Sequence, residues 1–220
     1  MLHSVGCAQS SAKVFINTFN RSNYTAACVH AFIDADTGTV YQTLPWNHRG
    51  WHGGSDRNGC CNNTHIGIEM CEPREIKYTA GASFTVTDAA KARAAAQRTY
   101  AAAVELFAYL SKLYGLDPKT DIISHREGAA KGIATAHGDP EHLWQGLGTS
   151  FTMDSFRRDV SLKMKNNINE YTDIEAIAWD LNHRGIVTDK EGLINAVRAE
   201  PNGRLYWLAR KSLQYIRERD

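Results

Sequence analysis

Three polar sites lie far apart along this chain: His3 in LHSVG, His125 in SHREG, and His137 with Asp139 in AHGDPEH. A lone histidine is ordinarily a satisfied core or surface side chain. As a set, these residues are placed as in a chain that gathers imidazoles and a carboxylate around one ion. Such a meeting constrains the whole fold, because the first residues then have to lie beside residues 125–139. LHS reads as a strand end. His125 falls between the apolar run DIIS and a polar, Gly-containing loop, so it reads as a strand end projecting its ring into a cleft. His137 and Asp139 share a side only where their stretch is extended. Imidazole and carboxylate suit zinc, and catalytic zinc sites keep one position open for water.

A chain of 220 residues can bury one substantial core and still leave room for a small appendage. Hydrophobic residues make up 43% and charged residues 22%, the balance of an ordinary globular protein rather than a disordered one. The formal charge is +1 and neither sign forms a long block, so a nucleic-acid partner is not expected. Apolar stretches are too short to span a bilayer, which argues against stable membrane insertion. MLHSVGCAQSS has neither a basic start nor an apolar run with a small-residue cleavage site, so synthesis in the cytoplasm without a signal peptide is expected. The five cysteines, at 7, 28, 60, 61 and 71, form no disulfide framework and no pair of C-x-x-C units, and read as free thiols.

The pattern along the chain predicts an α/β fold, a central mixed β-sheet flanked by helices, followed by a small C-terminal helical domain. Lys13 to Asn17 suits a strand or the start of a short helix. CVHAFID, the turn signal ADTG and VYQTLP read as a hairpin with Gly38 in the turn. Residues 47–63, rich in Gly, Asn and rings, read as a long surface loop of the kind that carries binding chemistry. In HIGIEMCE the alternation puts Ile66, Ile68 and Met70 on one face and His65, Gly67 and Glu69 on the other. Thr87 or Asp88 can cap a helix from Ala89 to Leu113 that Gly115 ends. DPKTDIISHREG is expected to pass through another short strand, and Asp154 or Ser155 to open a second long helix. KMKNNINEY reads as a polar joint between domains at 1–165 and 171–220. Beyond it, helical spacing falls at 173–183, 190–199 (capped by Thr188, with Glu191 at its third position) and 205–216.

In this order, LHSVG, CVHAFID, VYQTLPWNHRGWHGG, HIGIEMCE, SHREG and the HGD segment resemble the zinc-dependent N-acetylmuramoyl-L-alanine amidases of the phage T7 lysozyme, bacterial AmpD and peptidoglycan-recognition type. They look most like endolysins of phages or prophages of clostridia and related Gram-positive bacteria. The resemblance spans residues 1–165. It implies Zn²⁺ as cofactor, His3, His125 and Asp139 as its ligands, and Glu69 as the general base. His137 takes the place of a lysine that helps hold the oxyanion, and keeps a hydrogen-bond donor there. His30 and His52 match cleft-lining positions, and with Trp46 and Trp51 are expected to contact substrate. Two departures stand out: the span from His125 to Asp139 is longer than in the simplest relatives, so its loop must bulge, and His3 has almost no strand before it, as in a truncated or internally initiated form.

The expected partner is bacterial peptidoglycan, reached from the host cytoplasm at lysis. The C-terminal helices are expected to target the wall or to make a homo-oligomer. Two rival readings remain: a Cys/His hydrolase built on Cys28 and His30, and a noncatalytic peptidoglycan-binding module.

Overall fold

The computed structural model describes residues 1–169, 178, 181 and 187–199. The chain divides into two compact units, Met1–Ser161 and Leu162–Asp220.

The first unit is built on a four-stranded sheet. Its strands in chain order are β1 (Leu2–Ser4), β2 (Ala31–Ile33), β3 (Val40–Gln42) and, after two short strands β4 (Ser55–Asp56) and β5 (Gly59–Cys60), β6 (Ile68–Met70). Their spatial order is β1-β6-β2-β3, with β6 parallel to β1 and β2, and β3 antiparallel to β2. All three residues of β1 and of β2 are buried, as strands covered on both faces must be. The β2–β3 turn forms as expected, with Gly38 at φ +75°, where a side chain would be strained.

Residues 12–19 resolve the ambiguity of AKVFIN in favour of a helix, α1 (Ala12–Phe19). Phe15 stacks on Phe32, and Phe19 meets the same ring edge-on, so the helix is fixed by its aromatic face. The long Ala-rich helix, α2 (Ala89–Tyr114), is capped by Asp88, which accepts the Lys91 N–H, and ends at Gly115 with φ +66°. It packs on β2 and β6, with Ala95 in the buried cluster that holds Phe32.

Residues 73–86, which carry no sequence expectation, form a further hairpin, β7 (Ile76–Ala80) and β8 (Ser83–Val86). It is pinned by a cluster of Ile76, Ala92, Ala96, Leu143 and Leu147, with Tyr78 and Phe84 packed against it.

The strand expected within DPKTDIISHREG is not there. Pro118–Asp121 is a helical turn, α3, and residues 122–124 contribute only a bridge between Ser124 and Leu2. His125 opens a helix, α4 (His125–Ala130), instead of ending a strand. The cause is a capping box: Ser124 Oγ accepts the Glu127 N–H, and Glu127 Oε2 accepts the Ser124 N–H, both at 3.0 Å. Two further helices follow, α5 (Glu141–Gly146) and α6 (Met153–Asn169), the second running through most of the expected polar joint. Arg157 of α6 ties α4 down through a two-pronged contact with Glu127.

In the second unit a helix spans Lys190–Ala199, as expected, with Asp189 Oδ1 accepting the Gly192 N–H. That side-chain cap sits one residue later than the expected Thr188. Ala178 and Leu181 are helical and buried. The remainder of the helices expected at 173–183 and 205–216 lies outside the described residues.

Ser124 Oγ also donates to Glu141 Oε1 at 2.7 Å, so one buried hydroxyl joins α4 to α5. Replacing it (Ser124→Ala) is expected to cost about 1–2 kcal/mol, read as a lower urea midpoint of the metal-free protein. An unchanged midpoint would mean the cap contributes nothing to holding α4.

Candidate active site

β1 lies between β6 and the chain at 123–124 and is hydrogen-bonded to both. The Leu2 N–H donates to Ile123 O at 2.9 Å, and the Ile68 N–H to Met1 O at 3.1 Å. Leu2 pairs with Ser124 on one side, so the next residues along, His3 and His125, fall side by side; on the other side His3 pairs with Glu69. His125, His3 and Glu69 therefore form one row across three adjacent segments. Ile68 and Met70, which alternate with Glu69, are fully buried.

Asp139 enters this row from the chain after α4. The stretch between His125 and Asp139 docks around the β4–β5 hairpin: the Asn58 N–H donates to Gly132 O, the Cys61 N–H to Ile133 O and the Thr135 N–H to Gly53 O. The carboxylate is then set by the Ser4 N–H, 3.4 Å from Oδ2.

His3 Nδ1 lies 3.1 Å from His125 Nδ1 and 3.2 Å from Asp139 Oδ2, and His125 Nδ1 lies 3.4 Å from Asp139 Oδ1. All three residues are buried, and they are the one group of metal-competent side chains found among the described residues. A four-coordinate Zn²⁺ with bonds of about 2.05 Å separates neighbouring ligands by about 3.3 Å, so the donors fit the ion in spacing as well as in type. Three protein donors also leave the fourth position for water or substrate. His3, with almost no strand before it, is 1% exposed.

Burial lowers the pKa of His3 to about 4, although Asp139 opposes the shift. Burial alone would raise that of Asp139, but the adjoining His125 and His3 imidazoles outweigh it and hold the carboxyl well below its usual range. A neutral imidazole beside an ionised carboxylate is the protonation state a cation requires.

The candidate ligands open on a cleft of about 560 Å³ whose lining includes Glu69, Tyr78, His137 and His142. Glu69 Oε2 is closed off from solvent and has no hydrogen-bond partner. Burial first, then Asp139 and Glu72, push its pKa well above the usual value. A cation in the triad would act in the opposite sense, and an orphaned carboxyl oxygen beside two imidazoles and a carboxylate is what a metal and its water would satisfy. His137 stacks on the His125 ring with centroids 4.5 Å apart, its side chain 61% exposed to the cleft mouth.

The residues expected to touch substrate are dispersed. His52 lines the cleft but also stands behind His3, with its Nδ1 3.0 Å from His3 Nε2. His30 and Trp46 line a neighbouring cavity of about 270 Å³, and Trp51 is half-exposed, pairing through its backbone with Cys28. Both nitrogens of His30 are engaged, Nε2 with His48 O and Nδ1 with the Gly67 N–H, so it has no nitrogen left to activate Cys28. The Cys/His hydrolase reading fails on that geometry.

Sequence reasoning passed over a second polar chain in the cleft wall. The Tyr78 hydroxyl donates to buried Glu72 at 2.7 Å and lies 2.6 Å from His142 Nε2. Burial raises Glu72 to about 7 despite its hydrogen bonds. The one local signal for it is His142, three residues beyond Asp139 in HGDPEH.

A family profile for N-acetylmuramoyl-L-alanine amidase (Amidase_2) matches residues 1–142, the span that carries all three candidate ligands. The chain belongs to this family. Two Bacillus subtilis (strain 168) proteins are similar to it: the N-acetylmuramoyl-L-alanine amidase CwlH, 34% identical over 80 residues (30% of this chain, 32% of that protein), and the amidase XlyA, 44% identical over 54 residues (23% and 18%). The chain thus matches less than a third of the length of either relative. Among solved structures, the Escherichia coli amidase AmiD in complex with anhydro-N-acetylmuramic acid-L-Ala-D-gamma-Glu-L-Lys aligns over 68% of this chain and 56% of that one, at 20% identity and a TM-score of 0.44.

The raised pKa of Glu69 fixes the sign of a stability effect. With its folded pKa above the unfolded value, this carboxyl favours the folded state at low pH and opposes it increasingly as pH rises above about 4.5. The lowered pKa of His3 works the other way between about 6.5 and 4, so the parent profile is a compromise and the informative comparison is with a variant. Metal-free Glu69→Gln is expected to exceed the parent in urea midpoint at pH 8, with the gap closing at pH 5. A gap that widens on acidification would contradict the placement of Glu69.

Proposed function

We propose that this protein hydrolyses the amide joining the lactyl group of N-acetylmuramic acid to L-alanine in peptidoglycan, with zinc as cofactor. The observation that carries the reading is the convergence of His3, His125 and Asp139 beside the orphaned oxygen of Glu69 in one cleft. Family membership supplies the bond class. Bound zinc would supply Lewis-acid polarisation of the carbonyl and a water of lowered pKa. Glu69 Oε2 takes the proton of the attacking water and returns it to the leaving nitrogen. An N–H of His137, stacked beside the ligands, faces the developing oxyanion.

The finer reading is a phage or prophage endolysin of Gram-positive, clostridial type, made in the host cytoplasm and reaching the wall at lysis. It is supported by the order of the sequence motifs. Residues 171–220 then serve wall attachment or pairing of two copies, for which the basic and aromatic residues of RLYWLARKSLQYIRERD are suited.

Purified walls incubated with the protein are expected to release L-alanine amino termini without new reducing ends, with loss of product on chelation and recovery on adding zinc. Binding without that product would turn the reading into a noncatalytic wall-binding module, and new reducing ends would replace it with glycan cleavage. Asp139→Ala is expected to abolish both stoichiometric zinc and turnover. Glu69→Gln is expected to lower kcat about 10²–10⁴-fold while zinc content stays at one equivalent; full activity in that variant would remove Glu69 from the chemistry.

A further inference from the structure

Residues 47–63 read from the sequence as a surface loop that carries binding chemistry, yet Gly50, Gly53, Cys61 and Asn62 within it are buried. Asn62 is 3% exposed, and its Oδ1 accepts two backbone N–H groups, that of His52 at 2.8 Å and that of Gly53 at 2.9 Å. The two residues so clamped each reach one of the candidate metal ligands.

On one branch, His52 Nε2 lies 2.9 Å from His65 O. A carbonyl only accepts, so the proton of neutral His52 sits on Nε2, and Nδ1 is left as an acceptor. The neighbour of that Nδ1 is His3 Nε2, at 3.0 Å. His3 must therefore carry its proton on Nε2, which leaves the Nδ1 lone pair facing His125 and Asp139. On the other branch, the Thr135 hydroxyl donates to Gly53 O at 3.2 Å, so its oxygen accepts from His125 Nε2 at 3.2 Å. That fixes the His125 proton on Nε2 and again leaves Nδ1 for the ion. In both branches a backbone carbonyl, one side chain removed from the ligand, sets its tautomer.

The space for this arrangement is cut by glycines. A Cβ on Gly67 would fall 2.3 Å from His52 Cγ, one on Gly50 would fall 2.8 Å from His52 Cδ2, and one on Gly53 would fall 2.4 Å from Cys61 Sγ. The His52 ring occupies room that any other residue at 50 or 67 would take.

We propose that His52 and Thr135 are positioning residues for the metal centre, and that Asn62, which touches neither ligand, indexes both of them by clamping the backbone at His52 and Gly53. This rests on the assignment of His3, His125 and Asp139 as a zinc site. It gives His52 a task other than contact with substrate. It also makes one buried amide the common anchor of two imidazoles that come from opposite ends of the domain.

The test is zinc affinity of the full chain, measured by competition with a chromophoric chelator, together with the visible spectrum of the Co²⁺-substituted protein. His52→Phe and Asn62→Leu are each expected to weaken zinc about 10–100-fold and to change the Co²⁺ spectrum. His52→Gln and Asn62→Asp keep the acceptor atoms and are expected to recover most of the loss, which a packing role would not produce. Thr135→Val keeps the shape at an exposed position and guards against variants that fail to fold; it is expected to weaken zinc in the same direction. Folded variants that bind zinc within twofold of the parent, with an unchanged Co²⁺ spectrum, would overturn the proposal. A parent that takes up no stoichiometric zinc would instead overturn the metal-site assignment on which it rests.

Discussion

Everything at this site hangs on three residues of backbone. β1 is only as long as LHS, yet it is flanked on one side by β6 and on the other by Ile123 and Ser124, and its hydrogen bonds to both set the lateral order His125, His3, Glu69. A slip of one residue would send the His3 ring to the opposite face and put Leu2 or Ser4 in its place. The site tolerates no such slip, because both neighbours of β1 carry functional side chains at the matching level. The buried Leu2 holds the register hydrophobically, and the capping box at Ser124 holds it from the other side.

With the register fixed, electrostatics sorts the carboxyl groups of the cleft into different states. Asp139 lies against two imidazoles and the Ser4 N–H and stays ionised, whereas Glu69, on the neighbouring strand, has no hydrogen-bond partner at Oε2 and favours its proton. Glu72 lies between these extremes, stabilised by Tyr78 and the Gly6 N–H yet fully shut off from solvent. One cleft thus holds a fixed anion for a cation and a carboxyl able to exchange its proton, the division of labour that hydrolysis of an amide requires.

How far the sequence reached depended on whether a feature is local. Alternation in HIGIEMCE places Glu69 opposite Ile68 and Met70, and caps at Asp88 and Gly115 bound the long helix, because period and capping are properties of a few consecutive residues. The helix at His125 was legible too, since Ser124 and Glu127 make a capping-box spacing, but the apolar DIIS before it suggested a strand continuing into the histidine. IKYTAGASFTV carries alternation around a glycine turn and was likewise readable as the hairpin that holds Tyr78. Asn62, Thr135 and the orientation of His52 were not: their roles arise from hydrogen bonds between segments brought together only by folding, and nothing in an Asn-Asn or Ala-Thr-Ala stretch announces a buried clamp.

The glycine of HIGIE acquires a different meaning in this light. Position 67 precedes β6, where a residue without a side chain weakens the strand and adds nothing to its packing. What it supplies is an absence: a vacant pocket on the strand's flank just wide enough for an imidazole from another loop. The sheet gives up a little of its own cohesion at that point so that a ring two segments away can stand upright behind the ligand, and the chemistry of the cleft is written partly in an atom that is not there.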